Sequence, residues 1–391
     1  MLAGVRLRPA KRMKEIPPSS TFKVLNLAKE LERQGKDIVH MEVGEPDFDT
    51  PAHIKRAAEE ALARGMTKYT PSAGLPELRE AITEHLATKG ISTDAKNVIV
   101  TPGAKHAIFC TLAATLDPGD EVIIPSPCWT YEAMVRIVGG KPVFIESKQS
   151  DEFKVKVEHV KEALTDNTRM ILLNYPNNPT GAVMQKKDLQ SIIDLAINHD
   201  IWILSDEIYD CLVYEGKHVS VMSLPNTAER TIYINGFSKA YAMTGWRLGY
   251  AVAPVELIAE INKIQQASTT CAAGFVQAAG VAALRGPQDC VREMRDEYRK
   301  RRDVIVNGLN SIDGFECIKP AGAFYAFPRI KKPGISSLDF CEFLLREAGV
   351  AAVPGSGFGP YGEGHARFSY ATSIQNIQRG LDQMGDALAR R

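Results

Sequence analysis

Seven short runs rich in Val and Ile, each closed by turn residues, constrain the fold of this chain more than any other feature. They are Val98–Thr101, Glu121–Pro125, Pro142–Glu146, Met170–Asn174, Trp202–Asp206, Thr231–Asn235 and Arg247–Ala253. Runs of this length and apolarity read as strands buried on both faces. Helical patterns separate most of them. One begins at Thr50-Pro51, read as an N-cap followed by proline at the first helical position, and stops at Gly65. Others run from Pro76 to about Lys89 and from Asp188 to about His199. Strands alternating with helices imply an α/β lobe built on a mostly parallel sheet.

From about residue 288 the pattern changes. A long charged helix is expected from Asp289 to about Leu309. Short strands follow near Phe315–Ile318 and Phe324–Phe327, then a helix from Ser337 to about Ala348, then strands near Val350–Val353 and Ala366–Tyr370. These describe a smaller α+β lobe. A chain of 391 residues exceeds what one core usually supports. The expected division is residues 1–49 joining the small domain, 50–288 forming the large one and 289–391 forming the small C-terminal one.

Composition excludes several function classes. Forty-seven basic residues balance forty-seven acidic ones, so no net field favours nucleic acid or an anionic membrane. The densest basic run, Arg299–Arg302, reads as a solvated helix face beside Glu293, Asp296 and Glu297. Seven scattered cysteines form no Cys-x-x-Cys pair, which points to a reducing compartment without a disulfide frame or structural zinc. The cytoplasm is the expected location. No apolar run reaches the roughly 18 residues of a membrane span. The first fourteen residues carry Arg and Lys and no acid, which reads as a basic tail; a targeting role stays open.

Ligands of parallel α/β sheets bind at the carboxyl ends of the strands, and unusual residues cluster there. Lys239 follows the strand Thr231–Asn235 in Asn235-Gly236-Phe237-Ser238-Lys239, and Arg247 comes eight residues later. A lysine held there can form a Schiff base with a carbonyl. The neighbouring Ser238 and Arg247 suit a phosphate. Thr101-Pro102-Gly103-Ala104-Lys105 is a strand-to-helix turn whose amide groups also suit phosphate. Asp206 ends another strand. It is either the partner of a protonated pyridine nitrogen or a helix N-cap. Asn178 sits in the dense turn Tyr175-Pro176-Asn177-Asn178-Pro179, as a cofactor contact or an ordinary turn residue. Trp129 is read as a ring-stacking or a packing residue. Arg367, between apolar neighbours, suits either bidentate carboxylate binding or an internal salt bridge.

In this order and spacing, from Gly44-Glu45-Pro46-Asp47-Phe48 to Arg367, these parts resemble the class I (fold type I) pyridoxal phosphate-dependent aminotransferases, most of all the bacterial-type aspartate aminotransferase branch. The resemblance implies a seven-stranded large lobe and pyridoxal 5'-phosphate as cofactor. It implies Lys239 as the Schiff-base lysine and Asp206 as the pyridine partner. Tyr209 and Asn178 become donors to the ring's phenolic oxygen, and Trp129 stacks on the ring. Gly103, Ala104, Lys105, Ser238 and Arg247 form the phosphate cradle and its neighbours. Tyr69 resembles a tyrosine contributed by the partner subunit, which implies a homodimer with shared sites. Arg367, helped by Asn178 and the backbone of Gly44, is the implied clamp for the substrate carboxylate. Ser126-Pro127 and Asn178-Pro179 resemble bonds that are often cis.

Two departures matter. Between Ile264 and Cys271 there is no arginine for a distal carboxylate. Lys105 is expected to take that role, with Ser20 and Thr21 resembling its helpers. The loop after Trp129 is also a residue short, which leaves Tyr131 as the alternative stacking residue. The implied reaction moves an amino group from an L-amino acid, with aspartate expected, to a 2-oxo acid, with 2-oxoglutarate expected. An aromatic amino acid or alanine is the alternative donor. A lyase on the same fold is a weaker rival. An amino-acid-sensing regulator lacks a DNA-binding segment here, and a dinucleotide enzyme lacks Gly-x-Gly-x-x-Gly after a strand.

Overall fold

A computed structural model describes residues 8–16 and 20–390. The first half of the basic N-terminal run lies outside the described residues, as do the side chains of Ser20 and Thr21. The seven expected strands are all present as β1 (Val98–Thr101), β2 (Glu121–Ser126), β3 (Lys141–Glu146), β4 (Thr168–Asn174), β5 (Trp202–Asp206), β6 (Thr231–Gly236) and β7 (Gly249–Val252). They form one sheet in the order β1-β7-β6-β5-β4-β2-β3. Neighbours pair in parallel except β7, which is antiparallel to both β1 and β6. An antiparallel neighbour needs no helical crossover. The β6–β7 connection is therefore a compact loop, and it carries both Lys239 and Arg247.

β1, β2, β6 and β7 are buried throughout, because helices cover both faces of the sheet. Each helix turns an apolar stripe inward. Lys186–Asn198, for example, buries Leu189, Ile192, Ile193 and Ala196 at helical spacing. A second core gathers around the helices Asp289–Ser311 and Ile374–Ala389. Beside it lies a three-stranded antiparallel sheet of β8 (Tyr325–Ala326), β9 (Val353–Pro354) and β10 (Ala366–Ser369), with β10 central. The chain's early segment packs on this second unit. Val39–His40 pairs in parallel with Val350–Ala351, and Val24, Ala28, Leu31 and Ile38 cluster with Leu345 and Ala351.

The sequence reading needs several corrections. Thr50 does not cap a helix; its hydroxyl donates to the Ala242 carbonyl, and the helix starts after Pro51. The expected helix Ser337–Ala348 is α-helical only to Phe343 and continues as a π-helical turn, Leu344–Ala348. The expected strand Val350–Val353 is two short strands. The basic run is a solvated face only in part: Arg299 and Lys300 are exposed, as expected. Arg301 and Arg302 are buried, because they fall on the inward stripe Tyr298, Arg301, Arg302, Ile305 of the Asp289–Ser311 helix. Arg301 Nη1 donates to both carboxylate oxygens of Asp47 at 2.7 and 2.8 Å. Arg302 donates to the Pro320 carbonyl, Glu215 and Asp303 at 3.0–3.1 Å.

Arg302 is enclosed, whereas the carboxylates it meets are about half exposed. Replacing Arg302 by Ala should therefore lower unfolding stability by roughly 2–4 kcal/mol through lost packing and an orphaned carbonyl. Glu215→Gln should cost under about 1 kcal/mol. Denaturant midpoints of the two variants check this; equal losses would contradict it.

Candidate active site

The carboxyl ends of β1, β2, β4, β5 and β6 open into one cleft of about 380 Å³, within the range of small-ligand sites. Register does the gathering: Asn174 lies beside Asp206, and Asp206 beside Ile234. Of the residues singled out by sequence, Gly44, Ala104, Lys105, Trp129, Asn178, Asp206, Tyr209, Ser238, Lys239, Arg247 and Arg367 all line it. Gly103 and Tyr69 do not. Gly103 is buried against the Arg247 side chain, and Tyr69 is 86% exposed on this single chain.

One end of the cleft is built for an anion. Gly103, at φ +91°, precedes the helix Ala104–Thr115, which presents its N-terminal amides. A Cβ at Gly103 would stand 2.6 Å from Arg247 Nη2, and one at Gly249 would stand 2.2 Å from the Ala104 nitrogen. Only glycine lets the guanidinium and the helix start approach this closely. Arg247 itself has φ +53°, and its Nη1 donates to the Thr244 carbonyl at 2.6 Å. Ser238 completes this end. The Lys105 amine lies 4.4 Å from the Trp129 ring centre. Burial, reinforced by Arg247, pulls the pKa of Lys105 below that of an ordinary lysine.

At the centre, Lys239 Nζ donates to the Gly44 carbonyl at 2.6 Å. Burial pulls its pKa down to about 8; Glu45 opposes this, and Arg367 and Arg247 reinforce it. Asp206 stands at the far end, and both of its carboxylate oxygens have donors. The Tyr131 hydroxyl reaches Oδ2 at 2.7 Å, and the Ile208 amide reaches Oδ1 at 3.2 Å. Burial raises its pKa to about 6, with these two bonds opposing. Asp206 thus makes a local turn bond and still presents a carboxylate to the cleft.

Arg367 is buried and held on β10. Nη1 donates to Asn178 Oδ1 at 3.1 Å, and Nη2 donates to the Glu42 carbonyl. Its plane lies 4.6 Å from the Tyr325 ring centre and 5.0 Å from that of Phe358. These partners are an amide and a main-chain carbonyl, not carboxylates, and Nε has no partner among the described residues. A buried guanidinium held this way is short of a counter-charge and suits an anionic ligand. The Tyr209 hydroxyl meets the Tyr325 hydroxyl at 2.8 Å. Burial holds the Tyr209 phenol well above its usual range, so it stays a donor. Ser126-Pro127 and Asn178-Pro179 are cis, as is Tyr175-Pro176.

The sequence reading overlooked Tyr325 and Asn174. Tyr325 sits in a two-residue strand with no periodic signal, and antiparallel pairing with β10 brings it beside Arg367. Asn174 ends β4, and its amide donates to the Asp206 carbonyl at 3.0 Å. Its place at a strand end was the available signal.

The family model for aminotransferase class I and II matches residues 36–384. The chain belongs to this family. An aspartate aminotransferase of Pyrococcus abyssi is 44% identical over 383 residues, covering 96% of this chain and 97% of the relative. An aromatic-amino-acid aminotransferase 2 of Thermococcus litoralis is also 44% identical, with 96% and 97% covered. The solved aspartate aminotransferase of Thermus thermophilus with maleate superposes with a TM-score of 0.93 at 43% identity, covering 97% of this chain and 100% of that one.

The aminotransferase uses pyridoxal 5'-phosphate, and the residues present fit it. The cleft offers an anion cradle, a buried amine depressed toward neutrality and a buried carboxylate, all on one wall-to-wall lining. At pH values below about 8 the neutral fraction of Lys239 falls tenfold per unit. The rate at which cofactor-free protein takes up pyridoxal phosphate, followed by visible absorption, should therefore climb with pH and level off above about 8. A rate that still climbs tenfold between pH 9 and 10 would contradict the depressed amine.

Proposed function

We propose that this aminotransferase moves the amino group of aspartate to 2-oxoglutarate in two half-reactions. The observation that carries this reading is the placement of two cations, Arg367 and Lys105, in the cleft that also holds Lys239. A dicarboxylic amino acid needs one cation for each carboxylate. The relatives named for aspartate, and the related structure determined with the dicarboxylate maleate, support it.

Bound pyridoxal phosphate supplies an electron-accepting ring that lets the substrate Cα proton leave. Lys239 Nζ is the base that takes this proton and the acid that returns it. Asp206 holds the positive charge of the ring nitrogen. Tyr209 and Asn178 donate to the ring's phenolic oxygen, and Trp129 packs against the ring. The amides of Ala104 and Lys105, with Ser238 and Arg247, hold the phosphate, and Gly103 lets Arg247 and the helix start close around it. Arg367 orients the α-carboxylate, helped by Asn178 and Gly44.

The functional unit in this reading is a cytoplasmic homodimer with shared sites. Tyr69, aromatic and exposed on one copy, reaches the partner's phosphate; the seven free cysteines suit a reducing compartment. The division into residues 1–49, 50–288 and 289–391 belongs to the same proposal. A second reading, an aromatic donor, is favoured by the Lys105 amine resting on Trp129 and by the relative named an aromatic-amino-acid aminotransferase.

Adding single amino acids to the purified protein while following cofactor absorption identifies the donors. Lys105→Ala should lower kcat/KM for aspartate about 10- to 100-fold, the range of one charge-assisted hydrogen bond, and leave phenylalanine nearly unchanged. A uniform loss across donors would place Lys105 at the phosphate alone. Lys239→Ala should bind the cofactor without turnover; full activity in that variant would sink the assignment.

A further inference from the structure

Tyr131 is the first residue of the helix Tyr131–Ile137 and is 1% exposed. The residues before it are pinned at several points. The Cys128 amide donates to the Phe358 carbonyl at 2.9 Å, and the Tyr131 amide donates to the Trp129 carbonyl at 2.7 Å. The Trp129 and Tyr131 rings meet edge to face at 5.3 Å. This tight turn delivers the Tyr131 hydroxyl to Asp206 Oδ2, so that Tyr131 is not free to stack on a ligand ring. Burial holds its phenol well above the usual range, so the hydroxyl is always a donor to that carboxylate.

We propose that Tyr131 is the positioning residue that keeps Asp206 ionised and aimed at the cofactor's ring nitrogen. This rests on the pyridoxal phosphate reading above. A donor hydrogen bond favours the charged form of a carboxylate, and it opposes the burial that pushes Asp206 toward protonation. The other groups facing Asp206 cannot substitute. Its Oδ1 is taken by the Ile208 amide. Glu207 repels its charge, Lys239 acts on it only through charge, and the Tyr209 hydroxyl pairs with the Tyr325 hydroxyl and not with Asp206. Cys128, beside Tyr131, is a buried protonated thiol. Glu207 is itself occupied by Ser205, Ser220, the Val221 amide and His218.

The test is the pH dependence of cofactor affinity in wild type and Tyr131→Phe, read by tryptophan quenching from pH 5.5 to 9. Cofactor-free wild type should lose affinity as pH falls through about 6, where Asp206 takes a proton. In Tyr131→Phe this acid limb should move up by about one pH unit, with affinity near pH 7 lowered roughly tenfold. The two proteins should converge at high pH, where Asp206 is ionised in both. Lys239 and the cofactor phosphate titrate alike in both and drop out of the comparison. A loss of affinity that is the same at every pH would mean a packing role and overturn the proposal, as would an unmoved acid limb. If the Phe variant does not fold, 3,5-difluorotyrosine at position 131 keeps the shape and strengthens the donor. The limb should then move to lower pH, and an unmoved limb overturns the proposal. Wild-type protein that takes up no pyridoxal phosphate would instead overturn the cofactor reading itself.

Discussion

The side-by-side register of β4, β5 and β6 is the constraint on which the site depends. Parallel strands all leave the sheet at the same edge, and there the main-chain groups run out of ladder partners. This chain meets that need with side chains at the edge itself. Asn174 donates to the Asp206 carbonyl, and Asp206 accepts from the Ile208 amide. The residues that terminate the strands cleanly are therefore also those that line the cleft. Binding capacity at this edge is a by-product of finishing the sheet.

Burial then tunes the charges. It raises the Asp206 carboxyl to about 6 and lowers the Lys239 amine to about 8. A carboxylate and an amine that would be fully ionised in water both come within reach of neutral pH. The segment from Glu42 to Asp47 ties these groups to the rest of the molecule. Its carbonyls accept from Arg367 and from Lys239, and Asp47 holds the buried Arg301 of the long helix. One short extended segment thus touches the anion-binding arginine, the reactive lysine and the helix behind them.

Much of this was legible in the sequence. Lys239, Asp206, Asn178 and Arg367 follow or occupy apolar runs, where polar residues have few structural uses, and the structure brings all four into one cleft. The buried pair Arg301 and Arg302 was not legible as such. A run of basic residues on a helix looks the same whether that face meets water or a neighbour, and only the packing of the helix against Tyr214, Phe48 and the Pro320 carbonyl decides. Tyr325 was hidden because a two-residue strand carries no period.

The sequence by itself determined the alternation of strands and helices, the strand ends that carry chemistry, and the membership of a cofactor-using family. Apolar period and turn residues act locally, and local order is written residue by residue. Tertiary structure alone decided which charges lose their water, the antiparallel turn of β7 that folds Arg247 back beside Lys239, and the seating of the Tyr131 hydroxyl on Asp206. Those outcomes depend on distances between segments remote in the chain. Such distances follow from how the elements pack, which no single stretch of sequence specifies.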